Sequence, residues 1–503
     1  MAASLADLGR ILGDNAHLTP EFVLVIFAFV ILGVAYTVRD RKMLGWLSVI
    51  PIVFSLFLVS GMMGLLDMKA LGFAAFAGPA SSRLAGGALS VDMFSLLFKF
   101  VFLSVALLAV GTSMTFLTEK DRHLGEYYAL MLVATAGMMV VASSQNLVPL
   151  FIGIEMASIS TFALAAFRKK DARGAEAAMK YFIIGATSSA VLLYGMSLLY
   201  GISGSLDIAL LSRRVGESAW EPATIAGITM VVGGFGFKMA AVPFHMWAPD
   251  VYEGTPAPVT VLLAAGSKKM AFAAAFKVFL VGLLAAKADF GFALAVVSVL
   301  TMTVGNLTAL SQTSVRRMLA YSSIAQSGYI LIAVAVGTKT ALAGGLLHVL
   351  SHAFMKGGAF IAVAAVAYLL SSEKLDAYKG LGKRAPFVAF CMAVFLLSLA
   401  GIPPLAGFWS KFVLFSGAVE AGRWGVWLAL AGVLNSAVSL YYYARVIKLM
   451  YVDEAPADAP KVAPGAGPYT VVLAIALAAV VLIGLYPQPF IDVAMQAAGA
   501  LIP

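Results

Sequence analysis

The sequence predicts an all-α, polytopic integral membrane protein with about fourteen transmembrane helices. Three observations carry that expectation. Of 503 residues, 61% are hydrophobic and 12% charged, against roughly 45–50% and 25% in an average soluble domain. Apolar stretches of the roughly 20 residues that cross a bilayer recur along the chain. The basic residues between those stretches fall unevenly, as the positive-inside rule describes. This composition excludes a soluble globular enzyme, a disordered chain and a nucleic-acid binder. The net charge of +9 is first a matter of topology. Cys391 is the single cysteine, so no intrachain disulfide, Cys-based zinc site or iron–sulfur cluster can be built from this chain's thiols.

In order, the spans are expected at 20–38, 43–66, 91–117, 124–143, 146–167, 176–200, 223–245, 257–285, 290–311, 318–337, 340–371, 386–419, 425–450 and 468–486. The first lacks a basic leading region and a small-residue cleavage site, so it is read as a span and not a signal peptide. Fourteen spans put both termini on one side. With the N-terminus outside, the inside loops hold eighteen basic residues, among them Arg168, Arg316, Arg317 and Lys374, against eight outside. The layout divides into three leading spans (1–123), two five-span units (124–285 and 290–450) and a last span (468–503). An odd number of spans per unit gives the two units inverted orientation.

The remaining eight basic residues fall inside spans, and all are Lys: 99, 180, 238, 268, 269, 277, 356 and 411. Among the acids, Glu155 alone lies near the middle of a span. Ionisable groups at membrane depth cost at least a few kcal/mol and mark transport paths. A buried lysine can release its proton near neutral pH, whereas arginine effectively cannot. Lysines without arginines in the spans therefore point to proton binding and release.

Glu155 sits in LFIGIEMASISTFAL, with Ser158, Ser160 and Thr161 within two turns. Lys238 sits in GGFGFKMAAVPFHMWAPD, where glycines and Pro243 should break the seventh span. His245, seven residues on, is expected on roughly the same face. Lys411 follows Pro403 and Pro404 in LAGIPPLAGFWSKF. Two interrupted, lysine-bearing spans in corresponding places of two units point to a repeat-built transporter. Lys268 and Lys269 are adjacent, and periodicity does not decide which one faces a path. His348, His352 and Lys356, at i, i+4 and i+8, form one stripe that reads as a relay. For Lys99, Lys180 and Lys277, snorkelling or structural pairing is as good a reading as function.

Five segments together resemble the subunit N family of bacterial proton-pumping NADH:quinone oxidoreductase, respiratory complex I, one of its antiporter-like membrane subunits. They are FIGIEMASISTFALAAFRKKDARGAEAAMKYFIIGA, GFGFKMAAVPFHMWAPDVYEGTPAPVT, NLTALSQTSVRRMLAYSSIAQSGYILI, FLLSLAGIPPLAGFWSKF and GVLNSAVSLYYYARVIKLMY. The relatives of that family are subunits L and M, the multisubunit cation/proton antiporters and related hydrogenase complexes. The eleventh span, HVLSHAFMKGGAF, is closer to the His-His-Lys pattern of those relatives. The resemblance implies that Glu155 is the essential glutamate of the fifth helix. It makes Lys238 the central lysine of the broken seventh, Lys268 the connecting lysine of the eighth and Lys411 the terminal lysine of the broken twelfth. It further implies no cofactor in this chain. NAD, FMN, iron–sulfur clusters and quinone are expected in partner subunits, and other membrane subunits and lipid are the expected neighbours. The expected location is the bacterial inner membrane, with both termini on the outer side.

Overall fold

A computed structural model describes residues 15–37, 41–79, 84–117, 121, 123–168, 171–217, 221–455 and 467–502. Among these there are helices and isolated bridges between loops, but no strand. Several loop residues used for the charge count, such as Arg39, Lys169 and Lys461, lie outside the described residues. Twelve helices, from Ala16–Ala35 to Trp424–Tyr451, are long and apolar enough to cross a membrane. They follow the expected order. One span is interrupted as the reading had it, and the last is bent where the reading had it straight. The span expected at 386–419 is two helices, Pro386–Ala400 and Ala406–Glu420, parted at Pro403 and Pro404. The last, Tyr469–Leu485, continues as Gln488–Gly499 after a bend of 87° at Pro487. Counting the bent last pair as one span gives thirteen candidates among the described residues, and the two shorter helices parted at Pro403 and Pro404 stand where the remaining expected span lies.

Local chemistry sets many of the helix ends. Asp92 and Ser95 form a capping box at the start of the third span, Met93–Phe116. Asn146, Asp171, Ser314 and Thr338 each accept a backbone N–H at the start of the fifth, sixth, tenth and eleventh spans. Gly337 ends the tenth span in the left-handed region, directly before the Thr338 cap of the eleventh. The tenth and eleventh helices therefore meet with one two-residue hinge.

The third, eighth, tenth and eleventh spans are buried over most of their length, whereas the first, sixth and thirteenth present apolar faces such as Phe29, Tyr194 and Trp427 outward. Lipid-facing and core-facing residues are equally apolar, so this division carries no sequence signature. Gly137 and Gly153 let the fourth and fifth helices touch. A Cβ on Gly153 would lie 2.8 Å from the Gly137 carbonyl oxygen. The fifth helix, which carries Glu155, is thus seated against its neighbour at backbone distance.

Loops expected on one side of the membrane meet one another. At one end Arg168 pairs with Asp121 at 3.1 Å, Lys180 with Asp250 at 2.9 Å, Arg317 with Asp250 at 3.0 Å and Arg316 with Glu373 at 2.9 Å. Lys180, Asp250, Arg317 and Glu373 line a cavity of about 770 Å³, and Arg168, Arg316 and Glu373 its neighbour of about 370 Å³. At the other end the Ser90 amide donates to Ser143, Leu147 to Leu206 and Ile208 to Gln145. The alternation of sides read from the basic residues is the alternation of the helices.

Burial works to raise the Asp250 carboxyl, but hydrogen bonds from Lys180 and Arg317 outweigh it and hold that group below its ordinary range. Glu373 is the opposite case. Burial holds its carboxyl above the ordinary range, and the Arg316 charge offsets only part of that.

Candidate functional site

The seventh span ends at Met239, one residue after Lys238, and resumes as the short helix Trp247–Gly254. Ala240 turns into the left-handed region, φ 54°, and its amide and that of Ala241 close back on Phe237 and Gly236. The Trp247 indole N–H donates to the Phe237 carbonyl at 3.0 Å, satisfying a group freed by the break. Residues 240–246 are not helical, so spacing along a continuous helix does not place His245 relative to Lys238.

Lys238 lies in the last helical turn before this break, beside Glu155. Its Nζ is 3.6 Å from Glu155 Oε1. Two hydroxyls complete the arrangement: Lys238 donates to Ser158 Oγ at 2.8 Å and to Ser189 Oγ at 3.0 Å. Ser189 in turn donates to Glu155 Oε1 at 2.5 Å. The lysine side chain is 7% exposed and the glutamate 23%, so the carboxylate is the group nearer the outside of the chain.

The eighth span is continuous from Ala257 to Gly282 but contains two π-helical stretches, Leu263–Ser267 and Val278–Gly282. Such stretches are rare and recur at functional sites. Lys268 follows the first. Its Nζ donates to Ser323 Oγ of the tenth span at 3.1 Å and lies 5.3 Å from the Tyr252 ring. Lys269 folds back on its own helix, donating to the Ala264 carbonyl at 2.8 Å. Lys268 therefore reaches across to another span and Lys269 does not.

On the eleventh span His348 is held at both nitrogens, by Ser410 Oγ and by Gln326 Oε1, each at 2.9 Å. His352 lies one turn away, ring centroids 5.8 Å apart, and neither of its nitrogens meets a partner among the described residues. Lys356 turns aside, donating to Ser322 Oγ at 2.6 Å and to the Leu319 carbonyl at 3.0 Å. Ser322 also bonds the Tyr443 hydroxyl.

Lys411 lies at the second break. Its Nζ donates to the carbonyls of Leu399 and Ala400 at 3.0 and 3.1 Å and to Ser436 Oγ at 3.2 Å, 4.5 Å above the Tyr329 ring. Those carbonyls end the helix Pro386–Ala400, where unsatisfied C=O groups carry partial negative charge. The Gln326 amide donates to the same Leu399 carbonyl at 3.2 Å, so His348 and Lys411 are joined through Gln326 and one backbone oxygen.

The seven expected site residues are thus Glu155 and Lys238 as a pair, Lys268 bound to the tenth span, His352 and His348 in sequence, Lys411 at the far break, and Lys356 on a side arm. The sequence reading noted Ser158 beside Glu155. It did not find Ser189, Ser323, Gln326, Ser410 or Ser436, which connect the charged groups. Nor did it separate the three uncertain lysines. Lys180 is exposed and paired with Glu176 and Asp250. Lys99 is fully buried against Glu21 at 2.7 Å. Lys277 is fully buried on the Ser144 carbonyl at 2.8 Å. Neither of the last two snorkels.

The chain is similar to known proteins over most of its length. The family described as NADH:quinone oxidoreductase/Mrp antiporter, TM, matches residues 144–439. F(420)H(2) dehydrogenase subunit N of Methanosarcina mazei is 48% identical over 97% of this chain and 99% of its own. NADH-quinone oxidoreductase subunit N of Trichlorobacter lovleyi is 42% identical over 90% of each. A chain of respiratory complex I from Thermus thermophilus superposes with a TM-score of 0.77 at 31% identity, covering 94% of this chain and 98% of that one. A chain of the archaeal membrane-bound sulfane sulfur reductase superposes at 0.85 with 26% identity, covering 97% and 98%.

Proposed function

The chain belongs to the NADH:quinone oxidoreductase/Mrp antiporter transmembrane family, and from that premise we propose that it is the subunit N-type, proton-translocating membrane subunit of a proton-pumping NADH:quinone oxidoreductase. One observation carries the reading. Glu155 and Lys238 lie 3.6 Å apart at a helix break, and lysines and histidines continue inward from that pair to Lys411 at a second break. We take 124–285 and 290–450 as the two inverted units, each contributing one broken helix.

The proton enters from the cytoplasmic end, where the charged cavities lie, to Lys238 and Lys268. It passes along His352 and His348 and leaves outward from Lys411. His352 has no hydrogen-bond partner among the described residues, and a buried polar group in that situation is ordinarily served by water, which can carry a proton. Glu155 is the switch. While its carboxylate stays beside Lys238 the ammonium is held, and when the pair separates the proton moves on. Charging one site alters the next, so the array titrates as a coupled set. Ser189 keeps the pair in register, and the carbonyls of Leu399 and Ala400 hold the proton on Lys411 until release.

Redox chemistry belongs to partner subunits, which would hold NAD, FMN, iron–sulfur clusters and quinone. The single buried thiol of Cys391 is no donor set for a cluster. The relative from Methanosarcina mazei bears the name of a different donor, F(420)H(2), which fits a translocating subunit indifferent to donor chemistry. The expected setting is the bacterial inner membrane, both termini outside, among antiporter-like and small membrane subunits.

The test is made on the assembled complex with Glu155→Ala and Lys238→Ala, measuring quinone reduction and proton pumping on one preparation. Loss of pumping with retained assembly supports the reading. Normal proton stoichiometry in both variants overturns it. Transport by the purified lone chain in liposomes favours instead the antiporter reading that the His-His-Lys stripe suggests.

A further inference from the structure

The relay uses no charged group from the outer half of the first, third and eighth spans, yet Glu21, Lys99 and Lys277 are buried there. Lys99 and Glu21 neutralise one another at 2.7 Å, and a structural pair explains them. Lys277 is different. It is 1% exposed, its Nζ donates to the neutral Ser144 carbonyl at 2.8 Å, and it lies 5.5 Å from the Phe94 ring. The nearby Asp92 carboxylate and Lys99 ammonium act on it with opposite sign, so an ammonium in this site stays costly, and an apolar side chain of similar length would fill it at lower cost.

Lys277 is on the same helix as Lys268 and Lys269, nearer the outer end. Phe272 and Phe276 stand between, three and seven residues after Lys269 and so roughly on its face. The antiparallel third span adds Phe94 and Phe98. The Phe276 ring is 6.3 Å from Phe272, 6.4 Å from Phe94 and 6.5 Å from Phe98, and Phe94 and Phe98 are 4.9 Å apart. All four are fully buried. An apolar cluster of this kind excludes water, and without water a proton has no carrier across it.

We propose that Lys277 is the outermost proton site of a second outward outlet, closed by the plug of Phe94, Phe98, Phe272 and Phe276. The inference rests on the proton-translocating reading above and on its orientation. When the plug is wetted, an N–H bond of a midplane lysine ammonium breaks and the proton passes through water to the neutral amine of Lys277. The ammonium so formed then loses its proton to outer water beyond Ser144. With the plug dry, the outlet is closed and the midplane does not leak.

The test uses membrane vesicles carrying the assembled complex, with a pH gradient imposed by an acid jump and no redox turnover. Phe98→Ala opens an apolar void, which stays dry, and gradient decay is expected at the unmodified rate. Phe98→Ser removes similar packing but adds a polar group, and decay is expected to quicken several-fold. Combining it with Lys277→Met restores the slow rate. Equal decay in the Ser and Ala variants, or a leak that survives Lys277→Met, overturns the proposal. If Phe98→Ser does not assemble, Lys277→Arg decides during turnover, because arginine keeps the charge but does not release the proton. A lowered proton-to-electron ratio supports the outlet, and an unchanged ratio overturns it. Lys238→Ala is run alongside. Pumping that survives it sinks the functional reading itself, whereas pumping lost there but normal in Lys277→Arg sinks the outlet alone.

Discussion

Lys238 and Glu155 meet through a third residue: their charged atoms are 3.6 Å apart, while Ser189 accepts from the lysine at 3.0 Å and donates to the glutamate at 2.5 Å. The hydroxyl completes the pair without adding charge. Hydrogen bonds to charged groups are worth about 1.5–3 kcal/mol, whereas breaking a buried pair costs about 3–5 kcal/mol. Ser189→Ala is therefore expected to lower the proton-to-electron ratio less than Glu155→Ala does. Ser189→Thr, which keeps the hydroxyl, should recover part of it. Pumping stoichiometry on the assembled complex checks the order of the three variants, and equal loss in all of them contradicts it.

Gly401 separates stability from function at the second break. Its φ is 94°, and a Cβ there would come within 3.2 Å of the Lys411 side chain. Gly401→Ala is expected to cost about 1–3 kcal/mol in backbone strain and crowding and to displace Lys411 from its carbonyls. Gly201 in the sixth span has open space around a built Cβ, so Gly201→Ala should be neutral or gain up to about 1 kcal/mol. Thermal unfolding of the purified complex reads both, and only the first should also lose pumping.

His352 offers the reverse signature. Neither ring nitrogen has a partner among the described residues, and a buried unsatisfied polar group costs about 1–3 kcal/mol. His352→Leu should leave stability unchanged or raised while proton pumping falls. A variant that loses both together would mean that the ring is structural.

Asp250 and Glu373, the carboxylates that pair with Arg317 and Arg316, should titrate on opposite sides of their ordinary values. Asp250 has a depressed folded-state value, so its stabilising contribution is fully present above about pH 4 and is lost as pH falls through the lower folded value. Glu373 has a raised value, so it binds a proton more readily in the folded state, and stability falls as pH rises from its ordinary value through the raised one. Asp250→Asn should lower stability above about pH 4 and flatten the loss on acidification, because the carboxylate that pairs with Lys180 and Arg317 no longer titrates. Glu373→Gln should flatten the loss above pH 5 or so. Unfolding temperature against pH, with each variant, tests the two signs.

Much of the fold was legible because the membrane leaves few alternatives. Apolar length gave the spans, and Pro243, Pro403 and Pro404 gave the breaks. The charged residues of the site were legible for a related reason, the cost of Glu155, Lys238 and Lys411 at depth. The connecting hydroxyls were not. Thr112 and Thr135 bond their own helices at Leu108 and Met131, and nothing in sequence distinguishes them from Ser189, which bonds across helices. The buried Lys99–Glu21 pair was missed because its partners are far apart in the chain and each lies near a span end. Face arithmetic could not place His245, because it assumes an unbroken helix and the chain at 240–246 is not one.

Lys411, Lys356, Lys269 and Lys277 all rest on main-chain oxygens, those of Leu399 and Ala400, Leu319, Ala264 and Ser144. An oxygen of that kind survives every substitution of the residue that bears it. A saturation scan of pumping would therefore find Leu399 and Ala400 tolerant of any side chain that fits. Intolerance would concentrate instead at Gly401, Pro403 and Pro404, which touch no proton but decide where those oxygens point.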